Sequence, residues 1–466
     1  MSQAERPPGV VSMSHRVKVL SILLLAVAVR VALLAVTSDS AFLSIDGKDY
    51  QDIASNLAAG NGYSISFYRW FEPEPPNPDG LHPDFFRPPL LPFLGAPLYW
   101  LPGPWILWAK STVLLLGVLL VLLGYLIAKE CFGRQVALLS GLLLALYPYA
   151  IWYSARWSTE TLMAVCLLGA VLLLLRARPR PTRTGSVGAG VLLALATLSR
   201  PNALLQALVL PIVLVSRRTH RPRWPHIAIQ FLALMFVLAP WSLRNLKLAG
   251  SPNPGTFFGP YNMWLGTNPR MAQMYAAGTS PGFNDLQEAL YRIDSAGHVR
   301  EQERLAMFDV RSTSAYWLRQ VRDYAVAEPG QVLRIYAARF LHFLRPWPNP
   351  ATSSRPIFLL SLLFVGPLLI CAAWSLIRLQ EVRRAALHLP ILLGLIGSVP
   401  FVFSLRLRFP VFDPYIILIA APTVWLCIQR AKRSKALPGF PRNQVRMSAS
   451  TIGSSEIPFA RTVFIG

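Results

Sequence analysis

Charge is scarce in this chain. Only 14% of its 466 residues are Asp, Glu, Lys or Arg, where soluble domains carry about 25%. Acid is scarcer still: 22 Asp and Glu stand against 45 Lys and Arg, a formal net charge of +23. The low charge argues against a water-soluble enzyme. Disorder is excluded as well, because a disordered chain needs few hydrophobic residues and this one has 53%, with mean hydropathy +0.42. Cysteine is sparse: Cys131, Cys166, Cys371 and Cys427 have no paired spacing, which leaves no disulfide framework and no zinc site. No short-period repeat is visible, nor a soluble stretch with its own core. In a soluble protein the basic excess would point to nucleic acid. Here long apolar runs separate the basic clusters, so the chain reads as a multi-spanning membrane protein with basic cytoplasmic loops and no nucleic-acid partner.

The apolar runs are what the chain does have. A spanning helix takes about 20 apolar residues. The first run is 17–36. Arg6, His15, Arg16 and Lys18 before it imitate a signal peptide, but the run is long for one and many more follow, so it is read as an uncleaved first helix with a cytoplasmic N-terminus. Further spans are expected at 105–128, 135–152, 159–175, 186–198, 203–215, 226–241, 357–377, 386–404 and 410–428. The result is an all-α, polytopic transmembrane bundle of about ten spans. The apolar stretch 90–101 is too short to span and is broken by Pro92 and Pro97, so it is placed as a helix at the outer surface. With that choice, every dense basic cluster (Lys129/Arg134, Arg176 to Arg183, Arg217 to Arg223, Arg378 to Arg384, Arg430 to Lys435) falls on the cytoplasmic side with both termini, as the positive-inside bias requires.

Two outer loops are long, 37–103 and 243–355. The second contains a charged helical stretch, 285–327, and an amphipathic one, 332–344, expected to lie against the membrane surface. Residues 1–430 form one transmembrane module, and 431–466 a disordered basic cytoplasmic tail.

Arginines sit at the outer ends of the expected spans: Arg87, Arg200, Arg244, Arg406 and Arg408. A single one would be explained by snorkelling to headgroups. Several at one face, together with acids, point to a shared anionic ligand, since the guanidinium fork donates two parallel hydrogen bonds to phosphate. The acids there are Asp46, Asp49, Asp52, Asp84 and Glu160. Asp49, Asp52 and Glu160 also have a plainer reading as first-turn helix acids; it is preferred for Asp52, whereas Asp46 is read as functional. A carboxylate that takes a proton from an acceptor hydroxyl, facing arginines that stabilise a departing phosphate, would serve transfer from a lipid phosphate. Phosphoryl transfer and lipid transport fit the same residues.

The segments Asp46-Gly47-Lys48-Asp49-Tyr50, Phe86-Arg87-Pro88-Pro89, Tyr147-Pro148 with Ser158-Thr159-Glu160-Thr161, Leu198-Ser199-Arg200-Pro201, Ala239-Pro240-Trp241-Ser242-Leu243-Arg244-Asn245, Trp264-Leu265-Gly266-Thr267-Asn268-Pro269 and Arg406-Leu407-Arg408-Phe409-Pro410 follow one another across residues 40 to 430. In that order the chain resembles the GT-C type polytopic glycosyltransferases. Within them it is most similar to the bacterial relatives of protein O-mannosyltransferases, a group that includes lipid A aminoarabinose transferases and Rgt-type lipopolysaccharide sugar transferases. The resemblance implies a hexosyl- or pentosyltransferase that uses a polyprenyl-phosphate sugar donor and inverts the anomeric centre. It implies that Asp46 is the catalytic acid, that Arg87 lies near the lipid phosphate and that Glu160 lines the same cavity. Asp49, Arg200, Arg244, Arg406 and Arg408 complete the expected substrate-binding set. The expected acceptor is a lipid, glycan or protein, and the expected location is the bacterial inner membrane with the site on the periplasmic side. One departure is an acidic, Pro-rich insert at 71–80, read as a passive surface loop.

The alternatives are a lipid-linked saccharide flippase, against which stands the clustering of charge at one face, and a non-catalytic scaffold, which would need no such cluster. No cofactor is called for. A divalent metal stays open, because Asp46, Asp49, Asp84, Glu160, His82 and His342 share the outer face without a recognisable ligand spacing; these acids are read as binding none.

Overall fold

The computed structural model describes residues 13–67, 80–177, 181–216, 224–277, 310–348, 355–378, 381–401 and 405–435. The insert at 71–80 apart from its last residue, the first part of the charged stretch 285–327, and the tail beyond 435 lie outside the described residues. Among the described residues the chain is helical, interrupted by one two-residue ribbon, β1 (Ser64–Ile65) against β2 (His82–Pro83). The helices run α1 (His15–Val36), α2 (Asp39–Ala58), α3 (Leu90–Gly95), α4 (Trp105–Phe132), α5 (Arg134–Leu146), α6 (Pro148–Tyr153), α7 (Thr159–Ala177), α8 (Arg183–Ser199), α9 (Leu204–Ser216) and α10 (Trp224–Ala249). After these come α11 (Phe258–Gly266), α12 (Pro269–Ala276), α13 (Val310–Ala327), α14 (Pro329–Leu344), α15 (Arg355–Arg378), α16 (Glu381–Ser398), α17 (Leu405–Arg408) and α18 (Asp413–Lys435).

Six of these, α1, α4, α7, α10, α15 and α18, are long and apolar enough to cross a membrane. The other four expected spans are helices of 13 to 18 residues: α5, α8, α9 and α16. Proline explains the length of α5. The expected span 135–152 is two helices, because Pro148 has no N–H to continue the ladder and holds Tyr147 extended at ψ 120°. The segment 90–101 forms α3 and a 3₁₀ turn, Ala96–Trp100, as its prolines require.

α7 is the axis of the bundle, buried continuously from Thr159 to Leu172. Helices in lipid gain little from apolar burial against one another, so close backbone approach matters more. Gly190 of α8 supplies it: a Cβ there would fall 2.2 Å from the Gln230 carbonyl oxygen of α10. The two ends of α7 differ in chemistry. At its C-terminal end Arg176 pairs with Glu130 of α4 at 2.9 Å in an exposed, cation-rich setting. At its N-terminal end the Thr159 carbonyl accepts a bond from Ser199 Oγ of α8 at 3.1 Å, and the polar site begins.

Candidate active site

α2 is two helices merged across a kink at Ser44, whose φ of 52° is the one positive value outside glycine among the described residues. Such a conformation costs about 1–3 kcal/mol and persists only where its surroundings impose it. Here the Phe42 carbonyl accepts the Trp157 N–H at 2.9 Å, and Gly47 lies so close to the Trp157 carbonyl oxygen that a Cβ would stand 3.0 Å from it. The kink and the glycine press α2 onto the loop before α7. Asp46 and Asp49, three residues apart on the second half of α2, then share a face.

Arg87 meets them from the opposite side. Its turn is fixed by Asp84, whose Oδ1 accepts the N–H of Phe86 at 3.1 Å and of Arg87 at 2.8 Å, and by Tyr63, whose hydroxyl donates to the Arg87 carbonyl at 2.9 Å. The Arg87 guanidinium holds Asp49 Oδ2 at 2.6 and 2.7 Å and Asp46 Oδ1 at 3.0 Å. On the far side of Asp46, Arg406 of α17 bonds its other oxygen and also bonds Glu160 in the first turn of α7. Arg200, at the C-terminal end of α8, closes the row by donating to Glu160 Oε1 at 2.8 Å and to the Arg406 carbonyl at 3.4 Å.

The result is an alternating chain, Asp49–Arg87–Asp46–Arg406–Glu160–Arg200, with three carboxylates and three guanidinium groups. Its exposure is graded. The Glu160 side chain is fully buried, whereas Asp46 is 22% and Arg406 38% exposed. The network is closed at Glu160 and open at Asp46 and Arg406, where a ligand can reach it. Burial pushes the Asp46 carboxyl up, but Arg406 and then Arg87 outweigh it and hold the group well below the usual carboxylate range. Tyr50, with Arg87 5.7 Å from its ring, is pushed up to about 12 by burial and stays protonated.

Five of the expected site residues besides Asp46 thus meet it in one network: Asp49, Arg87, Glu160, Arg200 and Arg406. Two do not join. Arg244 donates to the Tyr63 carbonyl at 3.1 Å and lies over the rings of Trp241, Phe85 and Tyr63 at 4.7, 4.9 and 5.3 Å, so it braces the loop that carries Arg87. Arg408 points away from the network and pairs with Asp413 at 2.9 Å. Asp52 is structural but not the first-turn helix acid expected: it lies well inside α2 and accepts from the Ser66 N–H and hydroxyl at 2.8 and 2.7 Å. His82 contacts the Gly80 carbonyl and His342 the Tyr275 ring. Among the described residues no three His, Cys, Asp or Glu side chains gather as a metal site would need. The network carboxylates are each engaged by a guanidinium, a donor set that suits an anion.

Arg30 was not singled out from the sequence. It is fully buried in α1 and donates to Ser154 Oγ at 3.2 Å and to the Ala145 carbonyl at 3.3 Å. There it caps the broken end of α5 and holds the loop on which α2 rests. An arginine inside an apolar run of this length is itself the signal that could have found it.

Residues 87–242, which include Arg87, Glu160 and Arg200, match the family model of dolichyl-phosphate-mannose-protein mannosyltransferases. Among solved structures, the oligosaccharyltransferase of Archaeoglobus fulgidus tethered to an acceptor peptide superposes with a TM-score of 0.52 at 15% identity, over 96% of this chain and 53% of that one. The same organism's oligosaccharyltransferase AglB, in complex with an inhibitory peptide and a dolichol-phosphate, gives 0.49 at 13% identity over 96% and 55%. ArnT from Cupriavidus metallidurans bound to undecaprenyl phosphate gives 0.37 at 17% identity over 87% and 78%. The chain spans about half the length of the oligosaccharyltransferases it matches. No curated protein matches its sequence. The chain is a polytopic membrane protein, almost wholly helical among the described residues, with the GT-C type fold and protein O-mannosyltransferase-like in sequence over residues 87–242.

Proposed function

We propose that this protein is a membrane glycosyltransferase that moves a hexose or pentose from a polyprenyl-phosphate donor to an acceptor hydroxyl at the outer, periplasmic face of a bacterial inner membrane. The observation that carries the reading is the sharing of the partly exposed Asp46 carboxylate between Arg87 and Arg406. Asp46 is the group to take the acceptor proton. The acceptor oxygen then bonds the anomeric carbon, the bond from that carbon to the phosphate oxygen breaks, and the electron pair leaves with polyprenyl phosphate. Arg87 and Arg406 meet the charge that develops on that oxygen. A single displacement of this kind inverts the anomeric centre. Asp49 and Glu160 hold Arg87 and Arg406 in place, and Arg200 steadies Glu160.

The test is a single-turnover assay of the purified protein in nanodiscs with a panel of radiolabelled polyprenyl-phosphate sugars. Release of polyprenyl phosphate by the wild type, lost in Asp46→Asn and Arg87→Ala, is the expected result. Flipping of the intact donor across the bilayer without cleavage would replace the reading with that of a lipid-linked saccharide transporter.

A further inference from the structure

α17 is four residues long and carries two arginines two positions apart. At about 100° per residue they leave the helix on nearly opposite sides. Arg406 faces Asp46 and Glu160. Arg408 faces the interior, where its Nη2 meets Asp413 Oδ1 at 2.9 Å; the side chains of the pair are 0% and 1% exposed. Nη1 of Arg408 donates to the carbonyl oxygens of Phe343, at 3.4 Å, and Arg345. These carbonyls end α14, where a cation is favoured by the helix dipole. Around the pair, the Arg408 carbonyl accepts the Phe412 and Val411 N–H groups at 2.9 and 3.2 Å, and the Phe343 ring meets that of Phe412 edge-on at 5.1 Å.

A helix of four residues cannot maintain itself, because its nucleation costs more than its few hydrogen bonds return. The place of Arg406 therefore depends on what holds the segment from outside: Arg200 and Glu160 on the site side, and on the other what Arg408 grips. We propose that Arg408 and Asp413 are a positioning pair for the transfer reaction: they pin α17 to the first turn of α18 and to the end of α14, so that Arg406 spans Asp46 and Glu160. The inference rests on the proposed function for what Arg406 does there. Arg408 itself touches no substrate. Through it, the second long loop, which contains α14, is coupled to the arginine that would receive the lipid phosphate.

The test is a cycle of variants read by binding of farnesyl phosphate, a short-chain lipid phosphate, to the full chain in nanodiscs. Asp413→Asn leaves Arg408 buried without its partner and can fail to fold. The double variant Arg408→Met/Asp413→Leu is made beside it, since apolar replacement of a buried ion pair is often neutral for stability. The expected result is binding about tenfold weaker in the double variant, at unchanged unfolding temperature, and no further loss when the same change is made in Arg406→Ala, because the pair acts only through Arg406. Equal losses in both backgrounds, or no loss, would overturn the proposal. If the wild type does not bind farnesyl phosphate, the phosphate role of the network falls, and hydrogen exchange decides the positioning claim. Faster exchange at 405–412 in the double variant, with α7 unchanged, upholds it; unchanged exchange there refutes it.

Discussion

Replacing Asp46 by Asn should have opposite effects on binding and on chemistry. In the resting site Asp46 accepts from both Arg87 and Arg406, the two groups that the donor phosphate would use. The carboxylate and the phosphate therefore compete. Opposite unit charges about 4 Å apart attract by about 4 kcal/mol at an effective dielectric of about 20. Asp46 is 22% and Arg406 38% exposed, so solvent screening reduces each pair to about 1 kcal/mol. Asparagine keeps the shape and removes the charge at both pairs. Farnesyl phosphate should then bind more tightly by about 2 kcal/mol, roughly 30-fold. Turnover should fall by a factor of about 100 to 10,000, the worth of a general base. Binding measured by calorimetry in nanodiscs and product release measured in a single turnover give the two numbers separately. A misfolded variant would lose both. Binding that stays unchanged or weakens in a folded Asp46→Asn protein would refute the competition.

Acid should act on the same residue with a definite sign. A carboxyl held below its unfolded value, about 4, contributes stability that is complete above that value and is lost as pH falls through the folded one. The unfolding temperature should be level down to about pH 4 and drop below it, and Asp46→Asn should flatten that drop; a wild-type loss that begins near pH 6 and vanishes in the variant would contradict the argument. Arg87→Lys keeps the charge but not the fork that spans Asp46 and Asp49. It should weaken farnesyl phosphate binding by about tenfold, by loss of the shared geometry, and wild-type affinity would count against that role. Gly47→Ala would put a methyl group 3.0 Å from the Trp157 carbonyl oxygen. A cost of about 1–3 kcal/mol is expected from overpacking, seen as a lower unfolding temperature with reduced turnover. Gly117→Ala in α4 would place its Cβ 2.3 Å from Ser154 Oγ and 2.6 Å from Arg30 Nε. It should break that bond and slow transfer although it lies remote from Asp46; full activity would show that the loop before α7 does not need Arg30.

How much of this was legible in the sequence depends on the kind of signal each residue leaves. The long apolar runs 17–36, 105–128 and 159–175 return as helices within a few residues, because twenty apolar residues in lipid have no other way to satisfy their backbone. The run around Pro148 reads as a single element, since composition does not register a missing N–H, whereas the break at Pro201 falls between the expected spans 186–198 and 203–215, as it does in the structure. The network was legible as a set: Asp46 and Arg406 are 360 positions apart and yet bonded, and only the charge bias toward one face placed both at the same end of the bundle. What composition could not carry was direction. Arg406 and Arg408 belong to one short segment and read alike as cations near an anion. In an extended strand they would share a face; in α17 they part by about 200°, one to the carboxylates of the site and the other to Asp413. The hint was Asp413 itself, an acid inside the expected span 410–428, where an unpaired charge is costly enough that a buried partner has to exist close by. The kink at Ser44 left no such trace. Its φ of 52° is imposed by the bond from Trp157 N–H to the Phe42 carbonyl, a tertiary contact across more than a hundred residues. The direction in which Asp46 faces is therefore decided by the loop before α7 rather than by the residues around it.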